Sequence, residues 1–220
     1  VGGEQYYGFG MKNSLWWTLP FFGAYNAQFV KLDENGKKVC LLGDELTCAA
    51  FQLKMDLFQT HQIEAGAWKS GAIGDDVGFV NEKYAMIFMG PWFVQKFQEK
   101  GIDLGVALIP GISKAEAQRV GIQAPSRSAT NVGGNDMVIF ETCQYKQEAY
   151  DFINFMTSCE VQLDWCRSLK QIPSNRKAAE ILLADPQIDP IIKVFMEQIQ
   201  YATLPLQLPR YAYIETDVVN

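Results

Sequence analysis

An apolar segment at 84–94, YAMIFMGPWFV, constrains the fold of this chain more than any other stretch. Its first six residues are apolar, which is typical of a strand that is covered on both faces. The run ends at Gly90 and Pro91, because glycine adopts backbone angles that other residues avoid and proline suits the first turn of a helix. Trp92 is therefore predicted at the carboxyl end of a buried strand, where open α/β sheets bind ligands. A core tryptophan at an ordinary strand-helix corner fits the same pattern.

The composition is that of a globular protein without a marked attraction to polyanions. Of the 220 residues, 48% are hydrophobic and 20% are charged, close to the average for folded domains. The formal net charge is −6, from 25 acidic and 19 basic side chains. This balance argues against nucleic acid or an anionic membrane as a partner. No apolar run approaches the roughly 20 residues that a membrane-spanning helix requires.

The cysteines give no sign of a metal site or a redox motif. There are five, and an odd number excludes complete pairing within the chain. None shows the CxxC spacing of zinc sites or thioredoxin-like motifs, so no metal and no cofactor are expected. We expect free, mostly buried thiols at Cys40, Cys48, Cys143, Cys159 and Cys166.

Strand and helix patterns alternate along the chain. The pair Asn35-Gly36 between two short apolar runs is the turn signal of a hairpin. Asp44 is placed to cap a helix whose apolar residues recur at helical spacing. Residues 111–130 are polar and are predicted to form a long connection, and 157–160 carries the capping-box pattern. The predicted strands are 6–10, 29–32, 37–40, 84–89, 103–109 and 136–140. The predicted helices are 13–22 (ending at Pro20), 44–60, 75–80, 91–99, 145–156, 157–169, 175–183, 190–202 and 211–220.

This alternation indicates an α/β architecture. The back half of the chain is mostly helical and carries one predicted strand, at 136–140. A compact single sheet is not usually built in that way. The pattern therefore suggests that part of a second lobe follows the first one.

The order of several segments carries a family resemblance. The block FVNEKYAMIFMGPW at 79–92 is followed by a strand that ends at Pro110 and by a Gly133-Gly134 loop. In this order the chain resembles the extracellular solute-binding proteins of ABC importers, family 1, of the maltodextrin- and oligosaccharide-binding type. The resemblance spans about 6–220. It continues through the helix KQEAYDFINFMTS at 146–158, Glu160, Trp165, QIP at 171–173 and LPLQLP at 204–209.

The resemblance implies an α/β fold of the periplasmic-binding-protein-like class II, with two lobes joined by a hinge. Family members are longer, so this chain resembles a fragment that lacks the start of the amino-terminal lobe. By analogy, 1–112 forms the main part of the second, carboxy-terminal lobe and 113–130 is the connection. Residues 131–203 then belong to the first lobe, and 204–220 return to the second.

The resemblance also implies a location and partners. Family members act outside the cytoplasmic membrane, in the periplasm or as lipoproteins anchored at the cell surface. They bind a sugar or an oligosaccharide between the lobes and deliver it to an ABC permease. The expected partners are therefore a sugar and a membrane permease.

A sugar offers an apolar C–H face and a rim of hydroxyls, so its site needs flat aromatic rings and convergent polar groups. Trp92 is similar to the tryptophan on which the family stacks its ligand. Tyr211 falls where the family often places another aromatic residue. Trp16 and Trp17 lie in a segment where some members add one, although either fits a core position equally well.

Three smaller residues are further candidates for ligand contact. Gly133 and Gly134 allow a backbone N–H to approach a ligand closely, although a plain turn before a strand fits them equally well. Asn131 offers an amide to a hydroxyl, but asparagine is also a common turn residue.

Other functions are weighed against sugar binding. The same fold binds polyamines, metal-bearing anions or organic acids, but such solutes need clustered carboxylates or Arg and Tyr groups, whereas this chain is rich in tryptophan. A saccharide-acting enzyme needs two carboxylates flanking the bond, and no motif identifies such a pair. The one histidine, His61, is predicted on a helix end, and no nucleophile elbow, HExxH or phosphate loop is present. A purely structural or adhesive surface protein is the third class.

Overall fold

The computed structural model describes residues 5–204, 208, 211 and 213–215. Its strands are β1 (Tyr7–Gly10), β2 (Val30–Leu32), β3 (Lys38–Cys40), β4 (Tyr84–Ile87), β5 (Thr130–Asn131) and β6 (Ala202–Thr203). Its helices are α1 (Leu15–Ala24), α2 (Glu45–Gln59), α3 (Asp75–Val80), α4 (Val94–Glu99), α5 (Lys114–Arg119), α6 (Lys146–Met156), α7 (Cys159–Leu169), α8 (Arg176–Ala184) and α9 (Pro190–Gln198). Short 3-10 turns lie at Pro91–Phe93 and Ile199–Tyr201.

The chain forms two compact units. The first contains the residues up to Phe88, Leu108–Val132, and the residues from Gln198 onward, and the second contains Met89–Ala107 and Gly133–Glu197. The lobe boundaries that the resemblance implies, at 112, 130 and 203, remain a prediction. None of the described helices combines the length and apolarity that crossing a membrane requires.

In the first unit, two parallel strands flank the main core. β1 pairs with β4 in the register Tyr7 to Tyr84, and Phe9 also forms a parallel bridge with Glu64. The core contains aromatic and aliphatic side chains from β1, α1 and the segment that follows α1. Helix α1 packs against α2 and against β5.

Helix α1 begins at the predicted place and ends later than predicted. Ser14 is its N-cap, and the Ser14 side chain accepts a hydrogen bond from the Trp17 N–H at 3.3 Å. The helix continues past Pro20 to Ala24, so the predicted end at Pro20 is wrong. Proline costs one intrahelical hydrogen bond. The helix is apolar around most of its circumference and largely buried, and this packing stabilises it past the proline.

Several local predictions are confirmed. β2 and β3 form the antiparallel hairpin, with Gly36 at φ +74° in the turn. The Asp33 side chain accepts hydrogen bonds from the N–H groups of Asn35 and Lys37. Pro91 opens the 3-10 turn directly after Gly90, as the sequence predicts.

The predicted strands at 103–109 and 136–140 are not strands in the structure. Both segments lack ladder partners among the described residues. A strand requires a neighbour for its backbone N–H and C=O groups. Val138 and Phe140 are 68% and 75% exposed.

Three further sequence predictions need correction. β4 is covered only in part, since Met86 is 59% exposed, and it ends at Ile87. The connection at 111–130 contains helix α5, which Ser113 caps. The capping box does not form, because Ser158 is the N-cap of α7 and the Thr157 hydroxyl donates to the Ile153 carbonyl.

In the second unit, helices α7 and α8 pack on each other around a small apolar cluster. Its buried members are Cys166, Leu182, Ile192 and Met196. The five cysteines are free, as predicted, but only Cys166 is buried, and Cys40 and Cys48 are exposed. Most of the predicted extended segment 204–209 and of the predicted helix 211–220 lies outside the described residues.

A buried polar contact ties together three segments of the first unit. The Gln198 side chain accepts a hydrogen bond from the Ile109 N–H at 2.8 Å and donates one to Ser128 Oγ at 2.9 Å. Ser128 Oγ donates in turn to the Ile109 carbonyl at 2.6 Å. β5 and β6 pair next to this contact, so it orders the segment that carries Asn131.

Replacement of Gln198 by leucine is expected to destabilise the chain by about 2 kcal/mol, because the half-buried Ile109 N–H and the buried Ser128 hydroxyl lose a hydrogen-bond partner. The midpoint of urea unfolding measures the change. Gln118→Leu, at an exposed position of α5, is the matched control and is expected to shift the midpoint by less than about 0.5 kcal/mol. Equal midpoints for the two variants would contradict the structural role of Gln198.

Candidate ligand-binding site

The first turn of α1 carries two of the predicted aromatic residues. Trp16 and Trp17 are both half-buried, so each ring retains accessible surface. Trp16 packs against the main core of the first unit. Pro20 has no N–H, so the Trp16 carbonyl lacks the donor that a helix normally supplies four residues on. The turn therefore combines an anchored aromatic ring with a carbonyl that lacks its usual helical partner.

Tyr211 and Glu215 approach this turn from the far end of the chain. The Trp16 N–H donates a long hydrogen bond of 3.4 Å to Glu215 Oε1. Tyr211 packs on the same core as Trp16. Burial, and secondly the nearby Glu215 carboxylate, raises the pKa of Tyr211. The structure thus brings Trp16 and Tyr211 into one region, through a carboxylate that sequence reasoning did not single out.

Asn131 lies on a strand that contacts α1. It is in β5, which packs against α1 and pairs with β6. Its side-chain Nδ2 is buried and has no hydrogen-bond partner within the described part of the chain. The Tyr211 hydroxyl is also buried and has no hydrogen-bond partner in the described residues, although Glu215 lies nearby. Unpaired buried polar atoms cost about 1–3 kcal/mol each and are rare in folded proteins.

A buried lysine is linked by hydrogen bonds to the same turn. Lys54, in α2, donates to Thr18 Oγ1 at 2.9 Å, and this hydroxyl donates to the Ser14 carbonyl at 2.8 Å. Lys54 and Thr18 are almost completely buried. Burial lowers the pKa of Lys54 to about 8, and the charge of the buried Glu64 partly opposes this effect. Sequence reasoning missed this contact, because Lys54 falls within the helical repeat of α2 without any motif of its own.

Trp92 belongs to the second unit and is 54% exposed. A Cβ atom at Gly90 would stand 2.0 Å from the Trp92 ring, so a larger residue at position 90 would require this exposed ring to move. The structure confirms the predicted turn, and the exposed ring is not a core residue.

Gly133 and Gly134 also belong to the second unit and lie in an exposed segment without regular secondary structure. The structure thus divides the predicted site residues between its two units. Trp16, Trp17, Tyr211 and Asn131 are in the first, and Trp92, Gly133 and Gly134 are in the second. Their role in ligand contact remains a prediction.

Two surface cavities lie elsewhere. One of about 590 Å³ is lined by Tyr6, Tyr7, Phe58 and Lys69 among others, and one of about 390 Å³ is lined by residues near the start of α2. Neither is lined by a predicted site residue. The described residues contain no group of three or more His, Cys, Asp or Glu side chains arranged for a metal ion.

The family of the chain follows from its sequence as a whole. A family model described as bacterial extracellular solute-binding protein matches residues 12–194, most of the chain. The chain belongs to this family. Its extracytoplasmic location follows from this membership, whereas anchoring as a lipoprotein remains a prediction. Comparison with curated proteins gives no match.

Solved structures of sugar-binding proteins resemble this solute-binding protein. The maltose-maltodextrin binding protein of Alicyclobacillus acidocaldarius has a TM-score of 0.74 at 19% identity and covers 94% of this chain. The maltotriose binding protein of Thermus thermophilus, bound with maltotriose, has a TM-score of 0.74 at 20% identity and covers 98%. The GacH receptor of Streptomyces glaucescens, solved in complex with acarbose, has a TM-score of 0.68 at 18% identity and covers 97%.

At this level of identity the likeness shows the fold. The predicted fold class, α/β of the periplasmic-binding-protein type, is confirmed. The chain spans 54%, 54% and 52% of the length of these three structures, so it corresponds to about half of each. This agrees with the resemblance to a fragment.

Removal of the Glu215 charge tests the geometry around Tyr211. In Glu215→Gln the pKa of Tyr211 is expected to fall, because a negative charge no longer opposes the phenolate, but to stay above its ordinary value because burial remains. NMR titration of the tyrosine ring carbons measures this pKa. Glu34→Gln, in the exposed hairpin turn, is the control and leaves the titration unchanged. An unaltered Tyr211 titration in Glu215→Gln would contradict the placement.

Proposed function

We propose that this chain is part of a carbohydrate-binding component of an ABC importer, which captures a sugar or an oligosaccharide and delivers it to the permease. Membership of the solute-binding family supports capture without chemistry. In the complete protein, capture proceeds by closure of two lobes about a hinge, biased by the ligand. The permease then receives the closed form.

One observation carries the proposal: two unpaired buried polar atoms lie on β5, which packs against α1, and on Tyr211, which packs on the same core as Trp16. They are Asn131 Nδ2 and Tyr211 Oη. A ligand hydroxyl both donates and accepts hydrogen bonds, so it satisfies an amide and a phenol alike. The C–H face of the same sugar ring packs on an indole ring. The site therefore offers both kinds of contact that a carbohydrate requires.

The residues have different roles in this proposal. Trp16 is the stacking platform of the first unit, and Trp17 borders it. Asn131 and Tyr211 bind hydroxyl groups. In the complete protein Trp92 supplies a second stacking surface, and the Gly133-Gly134 segment lets backbone N–H groups approach the ligand.

The sugar-binding neighbours favour carbohydrate over other solutes. Structures of three of them are described as bound with maltotriose, in complex with acarbose and in complex with cycloalternan. The described part of the chain has no clustered acidic group for a metal-bearing ligand. Polyamines and organic acids are therefore the competing ligands in the test.

Calorimetric titration of the 220-residue chain with maltotriose tests the proposal. Trp16→Ala is expected to weaken binding about ten-fold, or about 1.4 kcal/mol, because it removes the stacking surface. Trp165→Ala, at an exposed tryptophan of α7 outside the proposed site, is the matched control and leaves the affinity unchanged. Binding of a polyamine or an organic acid, with none of any sugar, would refute the carbohydrate assignment.

A further inference from the structure

A buried cation lies in the middle of α2, where the helical repeat faces the core. Lys54 is 4% exposed, whereas lysine is almost never fully buried unless it is paired. The neighbouring core positions of α2, Ala50 and Leu53, are apolar. A hydrophobic side chain at position 54 would satisfy the packing at a lower desolvation cost. The lysine therefore needs an explanation other than core stability.

The contacts of Lys54 lead directly to the first turn of α1. Its Nζ donates to Thr18 Oγ1 at 2.9 Å, and Thr18 has no exposed surface. Thr18 Oγ1 donates to the carbonyl of Ser14, the N-cap residue of the helix. This chain of hydrogen bonds begins on α2 and brackets Trp16 and Trp17, which lie between Ser14 and Thr18. The turn is fixed from its buried side by one ammonium group.

The ionisable group whose charge acts on Lys54 is Glu64. It is 1% exposed and accepts the Gly66 N–H at 2.6 Å. Backbone N–H groups of Met11, Ala65 and Ala67 also favour its charged form, although burial raises the pKa of this carboxyl overall. Thr18 and Ser14, which face Lys54 from α1, do not titrate. The local charge balance therefore depends on Lys54 and Glu64.

We propose that Lys54 is a positioning residue for ligand binding, which holds the Trp16-Trp17 turn of α1 in its binding geometry through Thr18. Only the ligand-binding test of this inference rests on the proposed carbohydrate function. A buried ionic group that costs stability and fixes one arrangement is a known means of specifying geometry. Here the arrangement that it fixes is the aromatic platform.

The proposal has a consequence for pH dependence. Lys54 has a pKa of about 8 in the folded chain against 10.5 ordinarily, so it loses its proton between about pH 7 and 9. Above this range its attraction to Glu64 is lost and its hydrogen bond to Thr18 is no longer charge-assisted. Because the folded pKa lies below the ordinary value, the unfolded chain holds this proton more tightly; the stability of the folded chain therefore falls as pH drops from about 10.5 to about 8 and does not change further through Lys54 below that. The environment of the α1 turn follows the same titration.

NMR titration of the ¹⁵N-labelled 220-residue chain tests the coupling without any ligand. The backbone amides of Trp16, Trp17 and Thr18 are expected to shift with a midpoint near pH 8 in the wild type. Lys54→Met, which keeps the length of the side chain but removes its charge and donors, abolishes the shift. Lys31→Met, at an exposed lysine of β2, retains it. A midpoint near pH 8 that persists in Lys54→Met would overturn the proposal.

The second experiment measures the affinity for maltotriose at pH 7. Lys54→Met is expected to bind at least about five-fold more weakly, because the Trp16-Trp17 turn loses the hydrogen bond that holds it through Thr18. Unchanged affinity would overturn the proposal.

If Lys54→Met does not fold, Thr18→Val replaces it. This variant removes the hydroxyl through which Lys54 reaches the turn, so the same loss of affinity is expected. If the wild type binds no sugar, the proposed function fails, whereas the amide titration still decides the role of Lys54.

Discussion

The hydrogen bond between Lys54 and Thr18 is the interaction on which the candidate site depends. It joins α2 to α1 inside the core and fixes the turn that carries Trp16 and Trp17. The apolar packing around it stabilises the first unit, but that packing is non-directional and does not by itself orient two indole rings. Direction comes from the polar contacts, namely the Ser14 cap, the Thr18 hydroxyl and the Glu215 carboxylate. In the proposed function, the two unpaired polar groups, Asn131 Nδ2 and Tyr211 Oη, are contacts for the ligand.

Local patterns predicted the local structure well. The hairpin at Asn35-Gly36 and the turn at Gly90-Pro91 formed as expected, because glycine and proline act through backbone angles that do not depend on distant residues. The helix through Pro20 and the missing strands at 103–109 and 136–140 were predicted wrongly. In each case the outcome depends on distant neighbours: buried packing stabilises α1 past its proline, and an apolar segment becomes a strand only beside a partner strand.

The candidate site was predicted only in part. Trp16, Tyr211 and Trp92 were proposed from a family resemblance and Asn131 from its amide chemistry. The structure adds that Asn131 and Tyr211 carry unpaired buried atoms. Lys54 and Glu215 were not foreseen. Charged residues on helices are ordinarily solvated, so their sequence pattern does not reveal which of them is buried or lies against a distant turn. Only the fold brings Glu215 to the Trp16 N–H, across 199 positions of the chain.

The central claim is that the first turn of α1 is a carbohydrate platform. Intermolecular nuclear Overhauser effects between maltotriose and the tryptophan-labelled 220-residue chain test it most directly. The account predicts contacts between C–H protons of the sugar ring and the indole of Trp16. Contacts confined to other tryptophans, such as Trp68 or Trp165, or no contacts at saturating sugar, would contradict it.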